Sequence, residues 1–283
     1  MNTTTNAVRA GAWRGWVEFR QSLTNAQDLL GYFLMPAVFL VISFSVGGET
    51  IPGTQIPAGA LIMAGAVGFL VFIAGGMTVA QILAMEREDG TLLRSKAVPQ
   101  GMLGYFVGKT CYMLLMTTLG VAIIVVPPVL LIDGFAVQGV AGWFHLVWVC
   151  LLGLFATVPI GAAIGSLISN PRMIGLVMLP FMALAMASGI FFPITAMPGW
   201  VQTLVQVFPV YWLGLGARSA LLPAEAAQVE LAGSWQHLEI AGVLGLWGVV
   251  GFLVAPVLLR RMARRESGSR VAQARTRAMN RPY

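Results

Sequence analysis

The residues best placed to do chemistry form one short charged segment between two long apolar stretches. Acids and bases alternate along it, and it reads Glu86-Arg87-Glu88-Asp89-Gly90-Thr91-Leu92-Leu93-Arg94-Ser95-Lys96-Ala97-Val98-Pro99. Paired carboxylates can act as general acid and base, and an integral membrane enzyme would need such a pair or a His-rich cluster. The same charges can instead form salt bridges within a solvated loop, or a docking surface for a partner.

The turn residues within this segment predict a compact hairpin. Gly90 is suited to a sharp turn, and Thr91 is suited to cap a short helix that runs to Pro99. Such a helix presents Leu92 and Leu93 among charges. A loop that only sets membrane orientation needs cations alone, so the acids favour a docking surface.

Other chemical signals are weaker. Residues 104–110, Gly-Tyr-Phe-Val-Gly-Lys-Thr, have three residues between their glycines where a Walker A loop has four, and no strand precedes them. We therefore expect no ATP hydrolysis by this chain and expect Lys109 to snorkel at the start of a span. His145 and His237 are distant in sequence, and a structural role is expected for each. The two cysteines lie inside apolar runs, so neither a disulfide nor a metal site is predicted.

The elements that position the charged segment are membrane spans. The chain has 58% hydrophobic and 10% charged residues, and its mean hydropathy is +0.82, which excludes an ordinary soluble domain. A helix needs roughly 20 apolar residues to cross the bilayer. Six charge-free windows predict an all-α membrane protein with six spans: Leu29–Gly48, Ile56–Met85, Thr110–Ile132, Gly142–Pro171, Met173–Phe192 and Ile240–Leu259. Gly161 and Gly165 are expected to serve close packing within one subunit rather than a dimer seam.

The distribution of cations predicts the orientation. With six spans, all of the 17 Lys and Arg residues except Arg218 fall on one side, so the positive-inside rule places both termini in the cytoplasm. We predict one transmembrane domain over residues 1–283, with a cytoplasmic N-terminus (1–28), a six-span bundle (29–259) and a basic cytoplasmic tail (260–283). Trp13 and Trp16 share one face of an N-terminal helix that we expect to lie along the membrane interface. The tail is expected to be disordered.

The charged segment resembles a motif of a known family. The stretch Glu-Arg-Glu-Asp-Gly-Thr-Leu after the second span, followed by Pro99 and by Gly108-Lys109, is similar to type-2 ABC transporter permeases. In that family this stretch is a coupling helix that contacts a separate ATPase subunit. The resemblance gives this role to Glu86, Arg87, Glu88, Gly90, Thr91, Leu92 and Arg94.

A second resemblance follows the fifth span. The runs Ala187–Pro193, Met197–Trp200 and Phe208–Trp212 are similar to the family's re-entrant extracytoplasmic segment. Prolines interrupt an apolar run here, and broken backbone at membrane depth must be buried in protein or line a cavity. The residues assigned to this segment are Gly189, Phe192, Pro193, Pro198, Trp200, Pro209, Tyr211 and Trp212, and its three aromatic residues suit a membrane interface.

The resemblance implies a multi-pass permease subunit of an exporter, with no cofactor or metal of its own. ATP and Mg²⁺ would be bound by an ABC ATPase present in two copies, and the second permease subunit could be identical or paralogous. The spans carry almost no ionisable residues, which disfavours an ion-driven carrier or channel. The expected partner of the chain is membrane lipid and not nucleic acid.

We expect a hydrophobic or amphipathic cargo, such as a drug, an antibiotic or a lipid, with polysaccharide export and a membrane enzyme as alternatives. The preference for Arg over Lys and the abundant Ala and Gly indicate a bacterial inner membrane.

Overall fold

The chain is folded almost entirely into helices. A computed structural model describes residues 3–46, 49–51, 54–132, 135–168 and 173–265. Within these ranges it has eleven α-helices and no named β-strand. They are α1 (Thr3–Ser22), α2 (Ala26–Ser45), α3 (Ala58–Ile73), α4 (Val79–Glu88), α5 (Thr91–Lys96), α6 (Gly101–Leu131), α7 (Gly139–Leu167), α8 (Ile174–Ala187), α9 (Gly199–Val205), α10 (Pro209–Leu221) and α11 (His237–Arg265). A π-helical turn, Ala74–Thr78, joins α3 to α4 without a break.

Five helical stretches in the described ranges are long and apolar enough to cross a membrane. They are Asp28–Ser45, Ala58–Glu88, Gly101–Leu131, Gly139–Leu167 and His237–Leu259. Each overlaps one of the predicted windows, so the prediction of an all-α membrane protein holds at this level. The windows also included Gly48 and Pro171, which lie outside the described residues.

The predicted window Met173–Phe192 is only partly helical. Its helix, α8, has 14 residues and is about 21 Å long at 1.5 Å per residue, which is less than the roughly 30 Å of a bilayer core. Only Ala185 of α8 is buried. Length and composition therefore support five spans, and a sixth crossing by α8 stays a prediction.

Two helices extend beyond their predicted ends. Helix α6 begins at Gly101 rather than Thr110. Lys109, whose charge closed the predicted window, lies inside this helix and forms two ion pairs. Helix α11 continues past Leu259 to Arg265. Residues 266–283, most of the predicted tail, lie outside the described residues.

The core forms where α3, α7 and α10 meet. Every one of the 13 residues of α10 is buried, as is most of α3. Glycines allow this close packing: a Cβ on Gly68 would lie 2.7 Å from the backbone of Leu213 in α10, and one on Gly216 would lie 2.9 Å from Val149 in α7. A short helix thus lies at the centre of the bundle, surrounded by longer ones.

Helices α7 and α11 run parallel along much of their length. Gly251 of α11 faces Pro159 of α7, and Phe155 stacks on Phe252 with ring centroids 5.1 Å apart.

The opposite side of α7 packs through glycines. A Cβ on Gly161 would overlap the backbone of the π-helical turn. A Cβ on Gly165 would lie 2.9 Å from the carbonyl oxygen of Ala80 in α4. Gly161 and Gly165 therefore pack inside one chain, as predicted.

Helix α1 packs against the first turns of α6 through glycines on both helices. A Cβ on Gly11 would overlap the carbonyl of Gly104, and a Cβ on Gly15 would overlap that of Gly108. Trp13 lies away from this contact, with 66% of its surface exposed. Helix α1 is therefore anchored to the bundle along one face while its aromatic face remains open. The glycines of the imperfect Walker-like run thus serve helix packing.

We expect Gly15→Ala to loosen the contact between α1 and α6. The new methyl group would overlap the Gly108 backbone, and overpacking of this kind costs about 1–3 kcal/mol. Gly31→Ala in α2 is the matched control, because a Cβ there meets nothing within 4 Å. Limited proteolysis within α1 should be faster for Gly15→Ala than for the control. Equal cleavage rates for the two variants would contradict this packing.

Candidate functional site

The charged segment forms a tight helical hairpin between α4 and α6. Gly90 has a φ of +75°, which confirms the predicted turn at this residue. The prediction for Thr91 was wrong in detail, because the carboxylate of Asp89 accepts the Thr91 N–H at 2.8 Å while the Thr91 hydroxyl accepts from Arg94. Helix α5 is also shorter than predicted and ends at Lys96. The hairpin is thus held by local hydrogen bonds of its own.

Two residues predicted for the exposed surface of the hairpin are buried. Glu86 is buried at the end of α4, and Leu92 packs with Leu83 and Tyr105 in a small apolar cluster. This corrects the expectation that Glu86 and Leu92 are presented to a partner: the first helical turn after Gly90 directs Leu92 inward. The side chain of Leu93 lies outside what the structure describes.

Lys109 is the centre of an ion-pair network that joins three helices. Its ammonium nitrogen lies 2.6 Å from a carboxylate oxygen of Glu86 in α4 and 2.7 Å from one of Glu18 in α1. The Tyr105 hydroxyl donates a hydrogen bond to the other oxygen of Glu86. Lys109 therefore does not snorkel into solvent as predicted, since two carboxylates from different helices hold it.

The ion-pair network lowers the pKa of the Glu18 carboxyl. Burial alone would raise the pKa of the Glu18 carboxyl, but hydrogen bonds and charge interactions with Lys109 and Arg14 hold that pKa below its ordinary value. Glu18 is therefore ionised at neutral pH. Of the two cations beside Glu18, Arg14 is the more exposed, with 44% of its side-chain surface accessible. Lys109 therefore stabilises the charged Glu18 carboxylate more than Arg14 does.

Hydroxyl groups extend the network to α2. The Tyr112 hydroxyl lies 3.1 Å from that of Ser22 at the end of α1 and 3.0 Å from that of Tyr32 in α2. The Lys109 ammonium also lies 5.7 Å from the centre of the Tyr112 ring. The ends of α1, α2, α4 and α6 are thus joined by polar contacts beside the hairpin.

Arg87 connects the hairpin to α7. Its guanidinium donates a hydrogen bond to the carbonyl oxygen of Ile168 at 2.9 Å, just after the last residue of α7. A cation at this position satisfies a helix-terminal carbonyl and interacts favourably with the negative end of the helix dipole. Arg87 therefore links the hairpin to α7, the helix that packs along α11.

The outward face of the hairpin is formed by a different set of residues. Asp89, Arg94 and Val98 are exposed, with Val98 at 59%, and Glu88 is half-buried. The sequence analysis included Glu88 and Arg94 in the site but not Asp89 or Val98. The site thus has an inner set of residues that anchors the hairpin and an outer set that lies at its surface.

The second predicted site forms a broken helical segment between α8 and α11. Gly189 has a φ of +68° just after α8, Pro193 and Pro198 precede two short helices, and Pro209 begins α10. Phe192 is half-buried beside this turn. Since α10 is wholly buried, its backbone is shielded from lipid by protein, as a broken segment at membrane depth requires.

The three aromatic residues of this segment do not share one environment. Trp200 is 71% exposed, which suits an interface, but Tyr211 and Trp212 are buried at 1% and 5%. The expectation of an interfacial position is therefore wrong for Tyr211 and Trp212. They begin α10, which packs into the core, and the Trp212 indole N–H donates to the carbonyl of Gln206 at 2.7 Å.

Arg218 holds the broken segment together through a buried ion pair. Its guanidinium donates to both carboxylate oxygens of Glu230, at 2.6 and 3.1 Å, and both side chains are 1% exposed. The same group donates to the carbonyl oxygens of Gly189 and Ile190, at 3.2 and 3.3 Å. From the sequence, Arg218 was predicted only as a charge on the outer face, and this role was not foreseen.

A comparison with protein-family models identifies the chain. The model described as ABC-2 type transporter matches residues 6–222, which is more than half of the chain and includes both sites. This protein belongs to the ABC-2 type transporter family. It is a type-2 ABC permease, the membrane component of an ABC transporter. A search of the curated proteins found no match to this chain. Glu230 and α11 follow the matched residues in the sequence.

Proposed function

We propose that this permease is the transmembrane subunit of an exporter and that the hairpin is its coupling element. A separate ABC ATPase, bound in two copies beneath a permease dimer, would bind ATP and Mg²⁺ and hydrolyse the nucleotide. The observation that carries this proposal is the division of the hairpin into an anchored inner set and an exposed outer set. A force applied to the outer set would pass into the bundle through Lys109 and Arg87.

The orientation proposed for the permease follows from its charges. The hairpin, the Lys109 network and the basic end of α11 lie where the positive-inside rule places the cytoplasm of a bacterial inner membrane. Helices α7 and α11 begin at the opposite, extracytoplasmic end. The broken segment from Gly189 to Trp212 would then enter the membrane from outside, with α8 completing a sixth crossing and Trp200 at the interface.

The proposed cargo is a hydrophobic or amphipathic compound, such as a drug, an antibiotic or a lipid. Helices α2, α8 and α11 expose mainly apolar side chains, and the one buried charge of α10, that of Arg218, is neutralised by Glu230. Apolar surfaces of this kind fit a cargo that partitions into the bilayer. The exposed faces of α2 and α8 are also the surfaces available to a second permease subunit.

The experiment that tests the coupling element is a pull-down from native membranes with Arg94→Glu. Arg94 is exposed and donates only a local hydrogen bond to Thr91, so charge reversal should leave the fold intact. We expect recovery of the co-purifying ATPase to fall about tenfold, a loss of about 1.4 kcal/mol in binding free energy. Arg9→Glu, at an exposed position of α1, serves as the matched control and should retain the ATPase. An unchanged yield with Arg94→Glu would rule out the hairpin face as the docking site.

A further inference from the structure

The only two histidines of this chain lie against each other. His145 belongs to the second turn of α7 and His237 is the first residue of α11. Their ring centroids are 4.4 Å apart and the ring planes are inclined by 54°. The chain contains no other histidine, so their meeting across 92 positions of sequence is a feature of the fold. Their separation in sequence gave no sign of this contact.

The surroundings of the pair leave a ring nitrogen available. Nδ1 of His237 is buried and has no hydrogen-bond partner among the residues that the structure describes, which is uncommon for a buried polar atom. Neither residue is fully buried, so small solutes can reach the rings. On the His145 side, Trp148 lies edge-on to the imidazole with centroids 6.3 Å apart. The pair is thus partly exposed and has one ring nitrogen without a hydrogen-bond partner in the described residues.

The backbone before His237 is also unusual. Gln236 has a φ of +47°, a left-handed conformation that side chains other than glycine rarely adopt, and such conformations concentrate at functional sites. This turn starts α11 beside α7 and sets the position of His237. Strain here is maintained by the packing of the two helices.

We propose that His145 and His237 together bind a divalent transition-metal ion such as Zn²⁺, Cu²⁺ or Ni²⁺. Imidazole suits these ions, whereas Mg²⁺ prefers oxygen ligands. Nitrogens bind Zn²⁺ at 2.0–2.1 Å, so two of them on a tetrahedral ion lie about 3.3 Å apart. With ring centroids 4.4 Å apart, the two imidazoles are close enough to bind one ion once their side chains turn a nitrogen of each ring towards it.

The site supplies two protein ligands, and water would complete the coordination. Within the described ranges, no group of three or more His, Cys, Asp and Glu side chains could hold a metal ion. A site with open positions exchanges its metal readily, unlike a closed structural zinc site. A bound ion would bridge α7 and α11 at the end of the bundle remote from the hairpin. The proposal does not depend on the proposed transport function.

The test is metal binding by the purified full-length permease, isolated with an affinity tag that contains no histidine. Equilibrium dialysis against Ni²⁺ should show saturable, stoichiometric binding by the native chain, and Mg²⁺ should show none. His145→Gln and His237→Gln should each abolish stoichiometric Ni²⁺ binding. Glu239→Gln is the matched control, because Glu239 is an exposed carboxylate near the start of the same helix, and it should bind Ni²⁺ as the native chain does.

A second measurement separates loss of the site from loss of the fold. The electron paramagnetic resonance spectrum of bound Cu²⁺ should show nitrogen hyperfine coupling from two imidazoles in the native chain, and each variant should elute as the native chain does on size exclusion. Absence of Ni²⁺ binding to the native chain would overturn the proposal. Binding that persists in both histidine variants, or that Glu239→Gln removes, would assign the metal to other groups and would equally overturn it.

Discussion

Arg218→Met is expected to destabilise the permease by about 3–5 kcal/mol, the range for removing one partner of a buried ion pair. The variant leaves the Glu230 carboxylate, whose side chain is 1% exposed, without a cation in the core. The carbonyls of Gly189 and Ile190 lose their donor as well. Unfolding in SDS, followed by tryptophan fluorescence, measures the change in the free energy of unfolding.

The double variant Arg218→Met/Glu230→Leu separates pairing from packing. Replacing both charges of a buried pair by apolar groups is often nearly neutral, whereas removing one is costly. We therefore expect the double variant to recover most of the lost stability. Arg9→Met, in an exposed part of α1, should change stability by less than about 0.5 kcal/mol. A double variant as unstable as Arg218→Met would show that the hydrogen bonds to Gly189 and Ile190 or the side-chain volumes matter, and not the unpaired charge.

Lys109→Met is expected to have the largest effect on coupling. Removing the ammonium leaves the carboxylates of Glu18 and Glu86 facing each other without the cation that lies within 2.7 Å of both. Their repulsion should separate α1 from the end of α4 and loosen the hairpin. On the proposed function, cargo-stimulated ATP hydrolysis should fall at least about tenfold, which corresponds to 1.4 kcal/mol, while the ATPase still co-purifies because the outer face of the hairpin is unchanged.

Two further variants make the Lys109 prediction specific. Arg14→Gln removes the other cation beside Glu18, but that pair is exposed and an i,i+4 pair contributes about 0.3–0.5 kcal/mol, so coupling should persist. Glu86→Gln keeps an oxygen that can accept from Tyr105 and should cause a smaller loss than Lys109→Met. If Arg14→Gln and Lys109→Met reduced stimulation equally, the network would not be the route of coupling.

The sequence predicted the membrane class and the positions of five spans because length and hydropathy are local properties. It also located the hairpin turn, since Gly90 and its neighbours carry their own conformational preferences. It could not predict partners that are distant along the chain. Lys109 marked the end of an apolar window, and only the fold shows that Glu18, 91 positions away, helps to neutralise it.

The prediction from sequence did not separate the inner face of the hairpin from its outer face. Glu86 and Glu88 are alike in type and two positions apart, yet one is buried against Tyr105 and the other is half-exposed. Helical periodicity could have separated them, because two residues along a helix differ by about 200° in direction. The role of Arg218 was missed because this single cation was used only to assign the orientation of the chain. Its partner Glu230 follows only 12 positions later.

On the proposed function, the hydrogen bond from Arg87 to the end of α7 would let the hairpin move that helix as a lever. Helix α7 has 29 residues and is therefore about 43 Å long at 1.5 Å per residue. A rigid rod of that length, tilted by about 5°, moves its far end by about 4 Å. Since α11 lies parallel to α7 and is packed along it, the two would swing together as one lever. A small pull at Arg87 would thereby become a larger displacement at the opposite side of the membrane.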